Sequence, residues 1–360
     1  MRGLYVHVPF CDHICAYCDF TRCGYTKGLA DKWLDAVEAE LKQRQISDCE
    51  TVYIGGGTPS CLSLSQLEGL LKLLNSYIEN STETTIEVNA DSLSDDKLAV
   101  CKEYGINRIS MGAQSFQSDL LKVIERKADY EMISDAIERI HRQGIHDISL
   151  DLMYGLPNQT MAQWKEDLNK AADLAITHLS LYALTIEEHS RFGRAHVQPC
   201  DPDLEADFYE EAIMFLKRKG FEHYEISNFA KNAHYARHNL IYWHYEDFYG
   251  IGCGASGKLN HIRYDNTRNL HTYLTEGANA KEFRLTKQEE MFEAVMMGLR
   301  LHEGIDKQRF SERFQASLHE CFHDPIAKHV QLGNLKETDQ GLCATYQGRL
   351  ILHDILVDFL

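Results

Sequence analysis

The run Tyr5-Val6-His7-Val8-Pro9-Phe10-Cys11-Asp12-His13-Ile14-Cys15-Ala16-Tyr17-Cys18-Asp19-Phe20 carries an apolar, β-branched strand directly into a loop with three cysteines. At C-x3-C-x2-C spacing, three thiolates can ligate three irons of a 4Fe-4S cluster and leave the fourth iron open. An open iron can bind a small chelating molecule. Two plainer readings compete: a zinc site completed by His13 or Cys23, or three unrelated buried thiols. Spacing alone does not separate them.

Outward from this loop, β-branched or apolar runs alternate with helix-period segments. Leu29, Trp33, Val37 and Leu41 fall on one helical face, and Leu67, Leu70, Leu71 and Leu74 form a second apolar stripe. Strands are expected at Thr51 to Ile54, Thr85 to Val88, Arg108 to Met111, Asp147 to Met153 and His178 to Tyr182, with helical material from about Ser118 to Gln143. Strand-helix repetition of this kind predicts a parallel sheet with helices on its outer face. About six units fall short of the eight of a closed barrel, so the expected fold is α/β, a partial (β/α)6 barrel.

In such barrels the reactive end lies at the C-terminal ends of the strands. The cysteine loop follows the first strand and Gly55-Gly56-Gly57-Thr58-Pro59 the second; Glu87 and Asn89 close the third. Gln114 follows the fourth, Asp151 sits late in the fifth, and Glu187 follows the sixth. All are predicted to share one rim. Each also has an ordinary reading: the glycines as a tight turn, Glu87 and Asp151 as paired carboxylates, Gln114 as a rim amide, Arg126 as a solvated helix charge.

Composition limits the alternatives. Eleven cysteines, an odd number without an export signal, argue for reduced thiols rather than a disulfide framework. No stretch approaches a membrane-spanning length, so a cytoplasmic protein is expected. A formal net charge of -17 opposes attraction to phosphate backbones, and nucleic acid is not an expected partner.

The pattern C-x3-C-x-aromatic-C, with Tyr17 before Cys18, resembles the signature of the radical S-adenosylmethionine (SAM) superfamily. Together with Gly55-Gly-Gly-Thr-Pro, Asn107-Arg-Ile-Ser-Met-Gly-Ala-Gln-Ser-Phe and Asp151-Leu-Met-Tyr-Gly-Leu-Pro, it resembles the oxygen-independent coproporphyrinogen III oxidase family along most of the chain. The resemblance implies that Cys11, Cys15 and Cys18 hold a 4Fe-4S cluster. It also implies that Tyr5, Gly56, Gly57, Thr58, Glu87, Gln114, Arg126 and Asp151 contact SAM. One departure is Glu125-Arg126-Lys127-Ala128, where relatives often read Gly-Arg-x-His; another is Cys253 in a glycine-rich segment, expected to be a buried thiol.

Two branches of the family differ in function. The oxidases carry a further cysteine two residues after the third, and here Phe20 occupies that place. Cys18-Asp19-Phe20 and His238-Asn239-Leu240-Ile241-Tyr242-Trp243 are similar instead to the heme chaperone HemW branch, whose H-N-x-x-Y-W motif is associated with heme. An imidazole is a good iron ligand and the two rings offer flat faces, so His238, Tyr242 and Trp243 are candidate heme contacts; a core histidine with satisfied partners is the plainer reading. His234, four residues before His238, would share its face on a continuous helix.

The expectation is a chaperone with three cofactors, the 4Fe-4S cluster, SAM and heme, that delivers heme to acceptor proteins. It would need an electron donor and would touch membranes at most peripherally. The alternative is radical oxidative decarboxylation of coproporphyrinogen propionates, and enzymatic activity is left undecided. The organisation read here is a radical SAM core over 1–230, a connecting segment over 231–285 with the HNLIYW motif, and a mostly helical C-terminal domain over 286–360 ending in a β-wing within Arg349 to Leu360.

Overall fold

The computed structural model describes residues 2–47 and 49–360. Its strands before residue 286 are, in chain order, β1 (Arg2–Val8), β2 (Phe10–Cys11), β3 (Cys23–Gly24), β4 (Thr51–Gly56), β5 (Glu83–Val88), β6 (Arg108–Gln114), β7 (Asp147–Tyr154), β8 (His178–Ala183), β9 (Glu222–His223), β10 (Asn228–Ala230), β11 (Asp247–Ile251), β12 (Ser256–Leu259), β13 (Ile262–Asp265) and β14 (Lys281–Arg284). The centre of the main sheet is β1-β4-β5-β6-β7-β8, all parallel and in the order of the chain. This is the expected six-unit partial barrel.

Side-chain period explains its two faces. Leu4, Val6, Val52, Ile54, Ile86, Ile109, Met111, Leu150, Leu152 and Leu179 point outward and are buried in one core with Trp33, Leu70, Ile137 and Trp164 of the surrounding helices. The alternate residues face inward and are polar or small: Tyr5 and His7, Tyr53 and Gly55, Glu87, Ser110, Asp151, and His178, Ser180 and Tyr182. The sheet therefore has an oily back and a polar lumen.

The sheet is wider than expected. The connecting segment adds β11 parallel to β1, followed by β12, β13 and β14, each antiparallel to its neighbour. On the far edge β10 runs antiparallel to β8, and β9 antiparallel to β10. The helical material from Ser118 is two helices, Ser118–Ile124 and Tyr130–Arg142, separated at Glu125, whose φ of 59° is left-handed.

A second core, containing Val295, Leu299, Phe310, Phe314, Ile326 and Ile355, gathers the helices after residue 286. Its small sheet pairs Ile305–Asp306, Gly341–Ala344 and Leu335–Glu337, so the β-wing precedes the end of the chain. Residues expected to form it, Arg349 to Leu360, are mostly in the helices Tyr346–Leu350 and Leu352–Val357. Among the described residues no helix is long and apolar enough to cross a membrane.

Candidate functional site

The cysteine loop leaves β1 at the C-terminal rim. A small apolar cluster of Ala16, Leu120, Leu121, Ile124, Met153 and Phe192 supports it from behind. Backbone bonds from Ala16 to the Ile124 carbonyl (3.2 Å) and from Phe192 to the Ala16 carbonyl (3.0 Å) fix its path. Arg191 adds a contact to the Ile14 carbonyl.

An arc of polar contacts joins two of the three thiols through the rim. Thr58 Oγ1 donates to Cys11 Sγ (3.5 Å), and Asn89 Nδ2 donates to Thr58 Oγ1 (3.3 Å). Arg126 closes the arc, donating to Asn89 Oδ1 (3.0 Å), to the Gly112 carbonyl and to Cys15 Sγ (3.8 Å). Burial pushes the Cys11 thiol up to about 11, with Cys18 and Cys15 among the groups acting on it, and burial raises Cys18 as well. Such thiols ionise readily only when a metal takes the charge.

The glycine turn is shaped by close approach. A Cβ on Gly57 would lie 2.5 Å from the Phe10 carbonyl oxygen, and Gly56 has a φ of 109°. Glu87 lies beneath it, accepting from Gly56 N (2.9 Å) and from Tyr53 Oη (2.7 Å). Burial raises the Glu87 carboxyl. Asp151, to which Ser110 Oγ donates (3.5 Å), is pushed up to about 7 by burial and then by the Glu87 charge. Gln114 follows a bulge in the β6–β7 pairing and has a φ of 71°, the kind of distortion that re-aims a side chain. Tyr5 sits one layer down, its hydroxyl on His7 Nδ1 (2.9 Å).

Of the two fourth ligands a zinc reading would use, His13 pairs instead with Glu125 (3.3 Å). Cys253 is fully buried with its thiol on the Thr267 carbonyl (3.3 Å), as expected. Glu187 is exposed on the loop after β8. Phe20 is 69% exposed beside Cys18.

The HNLIYW segment occupies the opposite end of the barrel. Its helix, Arg237–Trp243, starts on the carboxylate of Glu83, which accepts from Arg237 N (3.0 Å) and His238 N (2.9 Å). His238 is buried with Nδ1 on Thr51 Oγ1 (2.7 Å) and Nε2 on Tyr242 Oη (2.7 Å), so neither ring nitrogen is open to an iron. Burial lowers it to about 3. Gly3 makes the room, since a Cβ there would lie 3.0 Å from the imidazole. The plainer reading of His238 is the one this geometry matches. His234 precedes the helix rather than sharing its face, and contacts Asp147. Trp243 lines a cavity, with the Arg300 guanidinium 4.6 Å above its ring.

Asn89, Tyr53, Ser110 and Tyr182 complete the polar lumen. Tyr53 and Tyr182 are found by the same period-2 rule that places Gly55 and Ser180.

The comparisons agree with this geometry. A model of the radical SAM superfamily matches residues 5–171, and one of the HemN C-terminal domain matches 285–351. The chain is 36% identical to the heme chaperone HemW of Bacillus subtilis over all of this chain and 99% of the relative. It is 35% identical to that of Lactococcus lactis over all of this chain and 97% of the relative. Among solved structures, coproporphyrinogen III oxidase (HemN) from Escherichia coli superposes with a TM-score of 0.86 at 23% identity, covering 99% of this chain and 89% of that one, a likeness of fold. With a cysteine rim over a polar six-stranded lumen and full-length identity above 30%, the chain belongs to the HemW family of radical SAM proteins.

Proposed function

We propose that this chain is a heme chaperone on a radical SAM scaffold, holding a 4Fe-4S cluster through Cys11, Cys15 and Cys18 and passing heme to acceptor proteins in the cytoplasm. The observation that carries the cofactor part is the arc from Cys11 through Thr58, Asn89 and Arg126 to Cys15, which ties the thiols to the ends of three strands. The heme part rests on the relatives, which are named heme chaperones.

The donor set fits the group: three thiols on one loop, two of them kept neutral by burial until metal arrives. When bound, the cluster offers SAM an open iron and an electron from an external one-electron donor. The chain's own share is placement. Gly56 and Gly57 let the backbone come close, and the lone pairs left on Glu87 and Asp151 can accept ribose hydroxyls. Gln114 and Arg126 shape the wall, and Tyr5 supports it from below. The oxidase reading lacks its extra thiol, since Phe20 points into solvent.

Anaerobic reconstitution followed by iron analysis, SAM addition under electron paramagnetic resonance, and heme titration test the proposal. Four irons per chain, a spectrum altered by SAM, and one heme bound and transferable to an apo-acceptor are expected. Absence of stoichiometric heme binding would overturn the chaperone reading. Formation of protoporphyrinogen from coproporphyrinogen would replace it with the oxidase.

A further inference from the structure

The arc through Thr58, Asn89 and Arg126 joins Cys11 to Cys15 and leaves Cys18 outside it. Cys18 is met from the other side by Arg22, four residues on. One nitrogen of the Arg22 fork donates to the Phe20 carbonyl (2.8 Å) and another to the Cys18 carbonyl. The third, Nε, is buried with no acceptor in the chain. Buried donors rarely stay unpaired, so this one is free for an acceptor that arrives later.

The backbone under Arg22 is fixed on both sides. His7 Nε2 donates to the Thr21 carbonyl (2.7 Å), and Cys23 N donates to the Pro9 carbonyl (2.7 Å). Thr21 packs so closely on the turn between β11 and β12 that a Cβ on Gly254 would lie 2.5 Å from its hydroxyl oxygen. The guanidinium is therefore in place beside the last cysteine before any cofactor binds. Among the described residues no carboxylate lies within ion-pair distance of it, so its charge is not cancelled where it stands. Burial raises the Cys11 and Cys18 thiols, and on each the Arg22 charge acts downward; Asp19 acts against it on Cys18. One cation thus reaches two of the three proposed ligands.

We infer that Arg22 tunes the cluster, its fixed positive charge beside Cys18 favouring the reduced form and so raising the reduction potential. The inference rests on the cofactor reading above. Reduction adds a negative charge to a group that three thiolates already make anionic. A cation that stays ionised and stays put stabilises the product of that step more than the reactant. Net charge and hydrogen bonds to sulfur are the means by which a protein sets such potentials.

The test is a mediated redox titration of the anaerobically reconstituted full chain without SAM. A europium(II) chelate supplies the electron, and the electron paramagnetic resonance signal of the reduced cluster is the readout. Arg22→Gln removes the charge but keeps an amide donor. It is expected to lower the reduced-to-oxidised ratio about tenfold at a fixed potential, a downward shift of about 59 mV for one electron. Arg22→Lys keeps the charge but loses the fork, and is expected to stay within about threefold of the wild-type ratio. Arg22→Gln decides alone if Arg22→Lys does not load iron. A wild-type potential in Arg22→Gln, or an equal drop in both variants, would overturn the inference, since charge would then not be the cause. Loss of the cluster from Arg22→Gln would overturn it too, by making the arginine a clamp for the loop. Failure of wild type itself to assemble a four-iron cluster would instead sink the cofactor reading.

Discussion

Replacing His238 with leucine separates two roles for the H-N-x-x-Y-W histidine. In the structure its ring satisfies two buried hydroxyls, Thr51 Oγ1 and Tyr242 Oη, each at 2.7 Å. Leucine keeps most of the volume but leaves both hydroxyls unpartnered, and each such group costs about 1–3 kcal/mol. His238→Leu should therefore destabilise the protein by about 2–6 kcal/mol near pH 7.5, read from urea unfolding by circular dichroism. The pH dependence sharpens the test. Burial depresses the folded-state value to about 3 from the ordinary 6.5, so the unfolded chain takes up a proton first as pH falls. The stability this histidine contributes is complete above about 6.5 and is lost towards 3, at about 1.4 kcal/mol per pH unit. Wild type's advantage over the variant should shrink at that rate below pH 6.5. An advantage that stays constant with pH would refute the argument. So would a variant of undiminished stability that no longer binds heme, since the ring would then serve iron and not the base of the barrel.

Three further outcomes follow from the rim. Gly57→Ala places a methyl 2.5 Å from one backbone carbonyl oxygen and 2.8 Å from another, so it should cost about 1–3 kcal/mol and lower iron loading on reconstitution. Asn89→Ala cuts the arc between the Cys11 and Cys15 thiols and should weaken cluster retention about 10–100-fold in a chelator challenge. Phe20→Cys should leave stability within about 0.5 kcal/mol, as an exposed site, and should yield no protoporphyrinogen from coproporphyrinogen; product formation would mean that one thiol separates the two branches.

The parallel strands were legible because β-branched runs recur between helix-period stripes, and the rim because its residues fall at strand ends. What escaped was non-local or chemically ambiguous. The pairing of β11 with β1 joins segments more than 230 residues apart, and no local pattern announces it. The break at Glu125 carries neither glycine nor proline, and only the φ of 59° reveals it. The His238 motif was ambiguous for a physical reason: the His and Tyr that would hold a porphyrin also pair with each other and with the buried Thr51 hydroxyl at the base of the barrel. That Trp243 lines a cavity while His238 is buried could not be told by spacing.

The second core's grip on Trp243 to Glu246 bears on modularity. Arg300 lies over Trp243, Glu303 pairs with His244 (2.8 Å), and Arg309 pairs with Glu246. Tyr245 has a left-handed φ of 56°, its hydroxyl is held by Glu293 (2.7 Å) and its carbonyl by Arg313. Glu293, Arg300, Glu303, Arg309 and Arg313 all lie after residue 286, while the helix they anchor seals the bottom of the other core. Truncation near that residue would therefore not yield a smaller, self-sufficient barrel. It would unfasten the stopper, admit water to the tyrosine layer from below, and turn a cup with one opening into a pipe with two.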